Sequence, residues 1–204
     1  FGRCGERFAL DHWGVRPDIL VSGKGLGGGY APIVATVATD DVVRPLVDTG
    51  RDFMFHTFGG LPGACAAARV VLDIMEREGL VDAARKRGDY LARGLADRFR
   101  DHPHVAETRG LGLLQGIELV ADRGTLEPFP EAAGLTRHVM AEGLARGAFF
   151  YGAGTGVARD MLILGPPLTV TEQELDLLVE RLGDAVDAAL ARVRGAGSSV
   201  ASAG

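Results

Sequence analysis

Apolar positions along the chain fall into two kinds of pattern. Asp18 to Ser22 (DILVS) is a short apolar run between Pro17 and Gly23, which predicts a buried strand that ends where a ligand can approach. Pro32 to Thr39 (PIVATVAT) is rich in Val, Ile and Thr and predicts a second strand, with Gly25 to Gly29 as the loop between them. From Ala64 the spacing becomes helical, with Ala67, Val70, Val71, Ile74 and Met75 on one face and Gly79 closing the run. A further helix starts near Leu80 and carries Leu91, Leu95 and Phe99 at four-residue spacing, and Pro103 marks a boundary.

Beyond Pro103, Leu113 to Val120 and Met161 to Leu164 read as strands, and Leu135 to Arg146 as a helix closed by Gly147. The last helix has the clearest local grammar. Thr171 followed by Glu174 forms a capping box, and Leu175, Leu178, Val179, Leu182, Val186, Ala189 and Leu190 form an apolar stripe. Residues 195–204 are Gly, Ala, Ser and one Val, too little apolar surface to order the segment, so a disordered tail is expected. The mixture predicts an α/β layer over residues 1–100 and a smaller α+β domain over 101–194.

With 47% hydrophobic residues, the 204-residue chain can bury one large or two small cores. The net charge of −5, without a basic run interleaved with aromatics, argues against a nucleic-acid surface. Cys4 and Cys65 lie far apart with no CxxC spacing, so neither a disulfide scaffold nor a zinc site is expected. His102 and His104 flank Pro103 in what reads as an exposed loop, and without a third ligand they read as solvated side chains rather than metal ligands. No apolar run is long enough for a membrane helix and no leader pattern stands at the N-terminus, which fits a cytoplasmic protein. The opening Phe-Gly-Arg-Cys-Gly, with no Met, reads as a cut edge.

The densest chemistry lies in Ser22-Gly23-Lys24-Gly25-Leu26-Gly27-Gly28-Gly29-Tyr30-Ala31-Pro32. It puts one lysine at the end of a strand, among glycines that let a bulky group reach the amine. Partial desolvation there would favour the neutral amine, the form that attacks a carbonyl. By composition alone a solvated loop cation in a flexible turn is the commoner outcome. Nucleotide motifs do not fit: a P-loop needs its lysine after the glycines and a hydroxyl residue next, where this chain has Gly25, and no GxGxxG leads into a helix.

The stretch PDILVSGKGLGGGYAP, Pro17 to Pro32, resembles the cofactor-lysine motif of the class III, or omega-type, aminotransferases of fold type I. The resemblance extends to about Ala191. It implies a fold made of part of the pyridoxal-phosphate transferase large domain, a three-layer α/β/α sheet, followed by the small C-terminal domain. It also implies pyridoxal 5′-phosphate (PLP) as cofactor, held as an imine by Lys24, which then shuttles the proton between the substrate Cα and the cofactor. The segment His56 to Cys65 (HTFGGLPGAC) resembles the family's phosphate-binding turn, which implies that Thr57 donates its hydroxyl to the phosphate in the neighbouring subunit of a homodimer.

Arg109-Gly110-Leu111-Gly112-Leu113 and Gly165-Pro166-Pro167-Leu168-Thr169 resemble two small-domain landmarks. The arginine of the first is read as structural. In some members an arginine shortly before the paired prolines binds a substrate α-carboxylate; the matching position here is Ile163, with Arg159 nearby, which favours an ω-amino acid or amine donor. Leu61 stands where the family has Asn or His. Phe1 to Gly5 resembles the segment just after the family's Asp-Glu motif, so the aspartate facing the cofactor ring nitrogen, the upstream glycine-rich phosphate loop and the stacking aromatic are expected outside these residues. The resemblance implies transamination between an amino donor and a keto acid or aldehyde. The alternatives are a truncated remnant with little PLP binding or activity, and a related PLP aminomutase of the glutamate-semialdehyde type.

Overall fold

The computed structural model describes residues 1–51 and 56–201. The chain divides into two compact units: Phe1–Gly2 with Glu6–Asp82, and Arg3–Gly5 with Ala83–Gly204. The division falls at Asp82/Ala83 rather than near residue 100.

The first unit holds β1 (Ile19–Ser22), β2 (Ala35–Ala38), α1 (Asp40–Val47) and α2 (Pro62–Arg77). β1 and β2 pair antiparallel, Ile19 opposite Ala38 and Ser22 opposite Ala35. The strand predicted as buried is open to solvent within this chain, with Ile19 and Val21 more than half exposed. Burial of a strand requires layers on both faces, and this unit supplies one pairing strand and no second layer over Val21 among the described residues. α2 starts with Pro62 at its first position, where a missing N–H costs nothing. Its inward face is Ala64, Ala68 and the half-buried Val71, Ile74 and Met75. Val70, expected on that face, is 55% exposed.

The second unit contains α3 (Leu80–Phe99), β3 (Val105–Leu111), β4 (Leu114–Leu119), α4 (Leu135–Ala145), β5 (Tyr151–Thr155), β6 (Ala158–Leu164) and α5 (Glu172–Ala201), α3 beginning three residues before the division. Its sheet runs β3-β4-β6-β5, every pair antiparallel. α3 belongs here because Ala84, Gly88, Leu91, Leu95 and Phe99 bury a continuous stripe against Ile117, Leu119, Leu162, Leu175, Leu182 and Val186. Each such leucine contributes about 1.5–3 kcal/mol of burial. The capping box forms as expected: the Thr171 N–H and hydroxyl donate to the Glu174 carboxylate at 2.8 and 2.9 Å, and the Glu174 N–H donates to the Thr171 hydroxyl at 3.3 Å. All seven stripe residues after it are buried or half-buried and enter or flank the core. The helical backbone of α5 is described to Ala201, and residues 202–204, the end of the tail expected to be disordered, lie outside the described residues.

His102 and His104 are not loop side chains in solvent. The His102 ring is 10% exposed and its Nε2 lies 3.2 Å from the Asp187 carboxylate of α5, which Arg98 also bonds at 2.6 Å. His104 Nδ1 lies 3.1 Å from the Val120 carbonyl and its ring meets Phe129. The polar chain around Pro103 thus ties the end of α3 and the start of β3 to α5, a long-range arrangement with no local spacing.

Candidate active site

Lys24 follows β1 by two residues and opens a short 3₁₀ turn, Lys24–Gly27. Three backbone bonds set the turn: Leu26 N–H to Gly23 O at 3.1 Å, Gly28 N–H to Gly25 O at 3.1 Å, and Tyr30 N–H to Gly27 O at 2.9 Å. Leu26 is buried and anchors the turn, whereas Lys24 is exposed. The turn packs on α2: a Cβ on Gly28, which has φ +58°, would lie 2.8 Å from Val71 Cγ2. That approach requires glycine.

Lys24 itself has φ +50°, one of two non-glycine residues with positive φ among the described residues. A left-handed lysine costs about 1–2 kcal/mol, and such outliers persist where surrounding bonds hold them, as they do at functional sites. The glycines beside it have open space: a Cβ on Gly25 would have its nearest neighbour 4.0 Å away, and one on Gly29 would meet nothing within 4 Å. Because Lys24 is exposed, this chain alone does not provide the desolvation expected from the sequence.

Thr57 is exposed in the turn that precedes α2. The turn is held by Gly59 N–H to His56 O at 2.8 Å and Leu61 N–H to Phe58 O at 3.3 Å, with Gly60 at φ +67°. The 16-residue α2 then begins, so its first N–H groups and the Thr57 hydroxyl lie at one end of a helix, which favours an anion. A Cβ on Gly63 would meet nothing within 4 Å, leaving room for one. Along α2, the Lys24 turn packs at Val71, nine residues past Pro62 and about 13 Å of helix axis away. Thr57 and Lys24 therefore border opposite stretches of one helix.

The family model described as Aminotransferase class-III matches residues 1–186. The chain belongs to the class III aminotransferase family. An adenosylmethionine-8-amino-7-oxononanoate aminotransferase of Nitratidesulfovibrio vulgaris is 38% identical over 190 residues, 91% of this chain and 34% of that protein. A taurine–pyruvate aminotransferase of Bilophila wadsworthia is 38% identical over 186 residues, 87% of this chain and 40% of that protein. Among solved structures, an (S)-enantioselective omega-transaminase from Thermomicrobium roseum superposes with a TM-score of 0.84 at 36% identity, over 95% of this chain and 41% of that one. The chain thus spans about two fifths of the length of the relatives it matches, and its fold is that of the corresponding part of fold type I transaminases.

Class III aminotransferases are PLP enzymes as a family, and the residues of this member fit that cofactor at two places. The exposed Lys24 among glycines suits a carbonyl-bearing ring, and the Thr57 turn ahead of α2 suits a phosphate. In the small unit, Arg109 is committed to ion pairs with Glu107 and, at 2.7 Å, with Glu118, which hold its guanidinium above the usual arginine range; the hydrogen bond it donates to Glu118 is the largest cause. Arg159 Nε donates to the Gly156 carbonyl at 2.9 Å within the β5–β6 turn. Ile163 sits on β6 opposite Tyr151 and Gly116. Sequence reasoning did not find Arg3, whose guanidinium bonds the paired-proline turn; a bond spanning 163 residues leaves no local pattern.

Proposed function

We propose that this chain carries the lysine-bearing part of a PLP-dependent transaminase, and that Lys24 is its covalent cofactor anchor and proton carrier. The observation that carries the reading is the left-handed, exposed Lys24, beside buried Leu26 and flanked by Gly25 and Gly29 with open space at both. When bound, PLP supplies the electron sink that allows the Cα–H bond of an amino donor to break. Lys24 would hold the cofactor covalently through its Nζ and, as a free amine once a donor is bound, would carry the proton taken from the donor Cα. A keto acid or aldehyde would serve as the acceptor, and ping-pong kinetics would be expected.

Thr57 contributes a hydroxyl, with the N-terminus of α2 behind it, to the cofactor phosphate. Its distance along α2 from the Lys24 turn supports a phosphate held by a second copy of the chain, and hence a homodimer with shared sites. On the donor side, the apolar Ile163 and the commitment of Arg159 to Gly156 favour a donor without an α-carboxylate, an ω-amino acid or amine. The relative named for taurine and pyruvate is in keeping with that class.

Absorbance spectroscopy on the purified full-length protein with added PLP tests the assignment. The expected result is a band near the visible edge that shifts when an amine donor is added and is missing in Lys24→Ala. A band that survives Lys24→Ala, or none in the native protein, overturns it.

A further inference from the structure

The ladder between β4 and β6 stops at the pair Gln115 and Leu164. Gly165, Pro166 and Pro167 come next, and neither proline has an N–H to continue it. Three successive carbonyls of this turn nevertheless find donors. Pro166 O accepts from Arg3 Nη1 at 2.5 Å, Pro167 O from the Val170 N–H at 3.0 Å, and Leu168 O from Arg87 Nη1 at 2.7 Å.

Arg3 makes a second long-range bond. Its own carbonyl accepts the Leu113 N–H, at 2.9 Å, just before β4 begins. One residue therefore holds the entry of β4 and the exit of β6, neighbouring strands at the end of the sheet where their own ladder has run out. The backbone around Arg3 is closely packed. A Cβ on Gly112 would lie 2.5 Å from Cys4 C and 2.7 Å from Gly5 N, and one on Gly5 would lie 2.9 Å from Arg85 Cβ. With the strip Arg3–Gly5 fixed this closely, the guanidinium sets where the Pro166 carbonyl rests. Lysine is a poor replacement, since its ammonium is shorter in reach and more strongly hydrated than the planar guanidinium.

We infer that Arg3 is a positioning residue for the amino donor: through the Pro166 carbonyl it fixes the exit of β6 and with it Ile163, three residues upstream. The inference rests on the donor-side reading of β6 proposed above. It adds a residue from the far N-terminal end of the chain to the determinants of donor recognition.

Steady-state kinetics on the full-length protein carrying Arg3→Lys, Arg3→Gln, Ile163→Ala and the Arg3→Gln/Ile163→Ala pair test it, with the cofactor band and Tm recorded on each. The expected outcome is a donor KM raised about tenfold by Arg3→Gln, with kcat, cofactor band and acceptor KM close to native. Arg3→Lys should recover less than half of the loss, and the double variant should show less than the product of the two single effects. An unchanged donor KM, independent effects of Arg3 and Ile163, or a KM change that only follows a fall in Tm overturns the inference. Should Arg3→Gln not fold, Arg3→Lys alone carries the KM comparison. A native protein without the cofactor band defeats the underlying cofactor reading instead, an outcome separate from a native band with unaltered donor KM in the Arg3 variants.

Discussion

Gly88 of α3 and Gly112 of the β3–β4 hairpin touch backbone to backbone: a Cβ on Gly88 would overlap the Cα and carbonyl group of Gly112. Gly112, at φ +54°, is pressed in turn against Cys4. Helix, hairpin and N-terminal strip are thus stacked with no side chain between them, and this stack seats Arg3. Gly88→Ala should destabilise the protein by about 3 kcal/mol, since overpacking against two rigid backbones has no rotamer to relax into. Gly94, six residues on in the same helix, is the contrast. Its added Cβ would meet Val179 Cγ2 at 3.4 Å, ordinary contact, so Gly94→Ala should stabilise by about 0.5–1 kcal/mol. Urea denaturation of both variants checks the pair.

The Thr171–Glu174 box is the start of the longest helix, and it satisfies donors that α5 would otherwise leave open. Thr171→Ala is expected to cost about 1 kcal/mol. The measurement is the denaturation midpoint against Thr171→Ser, which keeps the hydroxyl and should stay close to native.

His102 makes stability depend on pH. Burial lowers its pKa from the ordinary 6.5, outweighing the opposing hydrogen bond and charge of Asp187, with His104 and Arg98 adding to the lowering. A histidine harder to protonate when folded binds fewer protons in the native state than in the unfolded chain, so stability is lost as pH falls below about 6.5 and the loss levels off below the folded value. The carboxyls of Glu142, Glu174 and Asp187 are all held below their ordinary range; for Asp187 burial alone would raise it, and the bonds from Arg98 and His102 prevail. Those groups therefore act at lower pH. Tm measured from about pH 7.5 down to about pH 5 should fall more for the native protein than for His102→Asn, and equal slopes would remove His102 as the cause.

Thr57→Val keeps the shape of the side chain and removes the hydroxyl. If Thr57 binds the cofactor phosphate, PLP affinity should fall about tenfold while Tm without PLP stays within about 1 kcal/mol equivalent of native. Titration of the full-length protein with PLP, followed by absorbance, reads the first; thermal denaturation reads the second.

Much of the second unit was legible along the chain. β4, β6, α4 and α5 follow from hydrophobic period, capping residues and a terminating glycine, because these are properties of neighbouring residues. β3 and β5 were not legible: Val105–Leu111 and Tyr151–Thr155 carry Glu, Arg, Thr and Gly, and became strands by pairing with β4 and β6. α1 escaped for a related reason, since its eight residues include Pro45 and no buried position. Within this chain β1 is exposed, because an apolar run reports what a strand is suited to, whereas burial depends on which layers cover it. Within the candidate site the lysine motif stood out in sequence, while the strain at Lys24 and the reach of Arg3 to Pro166 did not.

The sequence by itself determined the chemistry that is local: a lysine among glycines beside a strand, a hydroxyl in a turn before a helix, and the start of α5. Tertiary structure alone decided which distant groups meet. It joined Arg3 to Pro166, His102 to Asp187 and Gly88 to Gly112, separated by 163, 85 and 24 residues. The physical reason is range: propensity, capping and turn chemistry act over a few residues, whereas backbone contact and long-range hydrogen bonding depend on chain path, which only the packed core specifies.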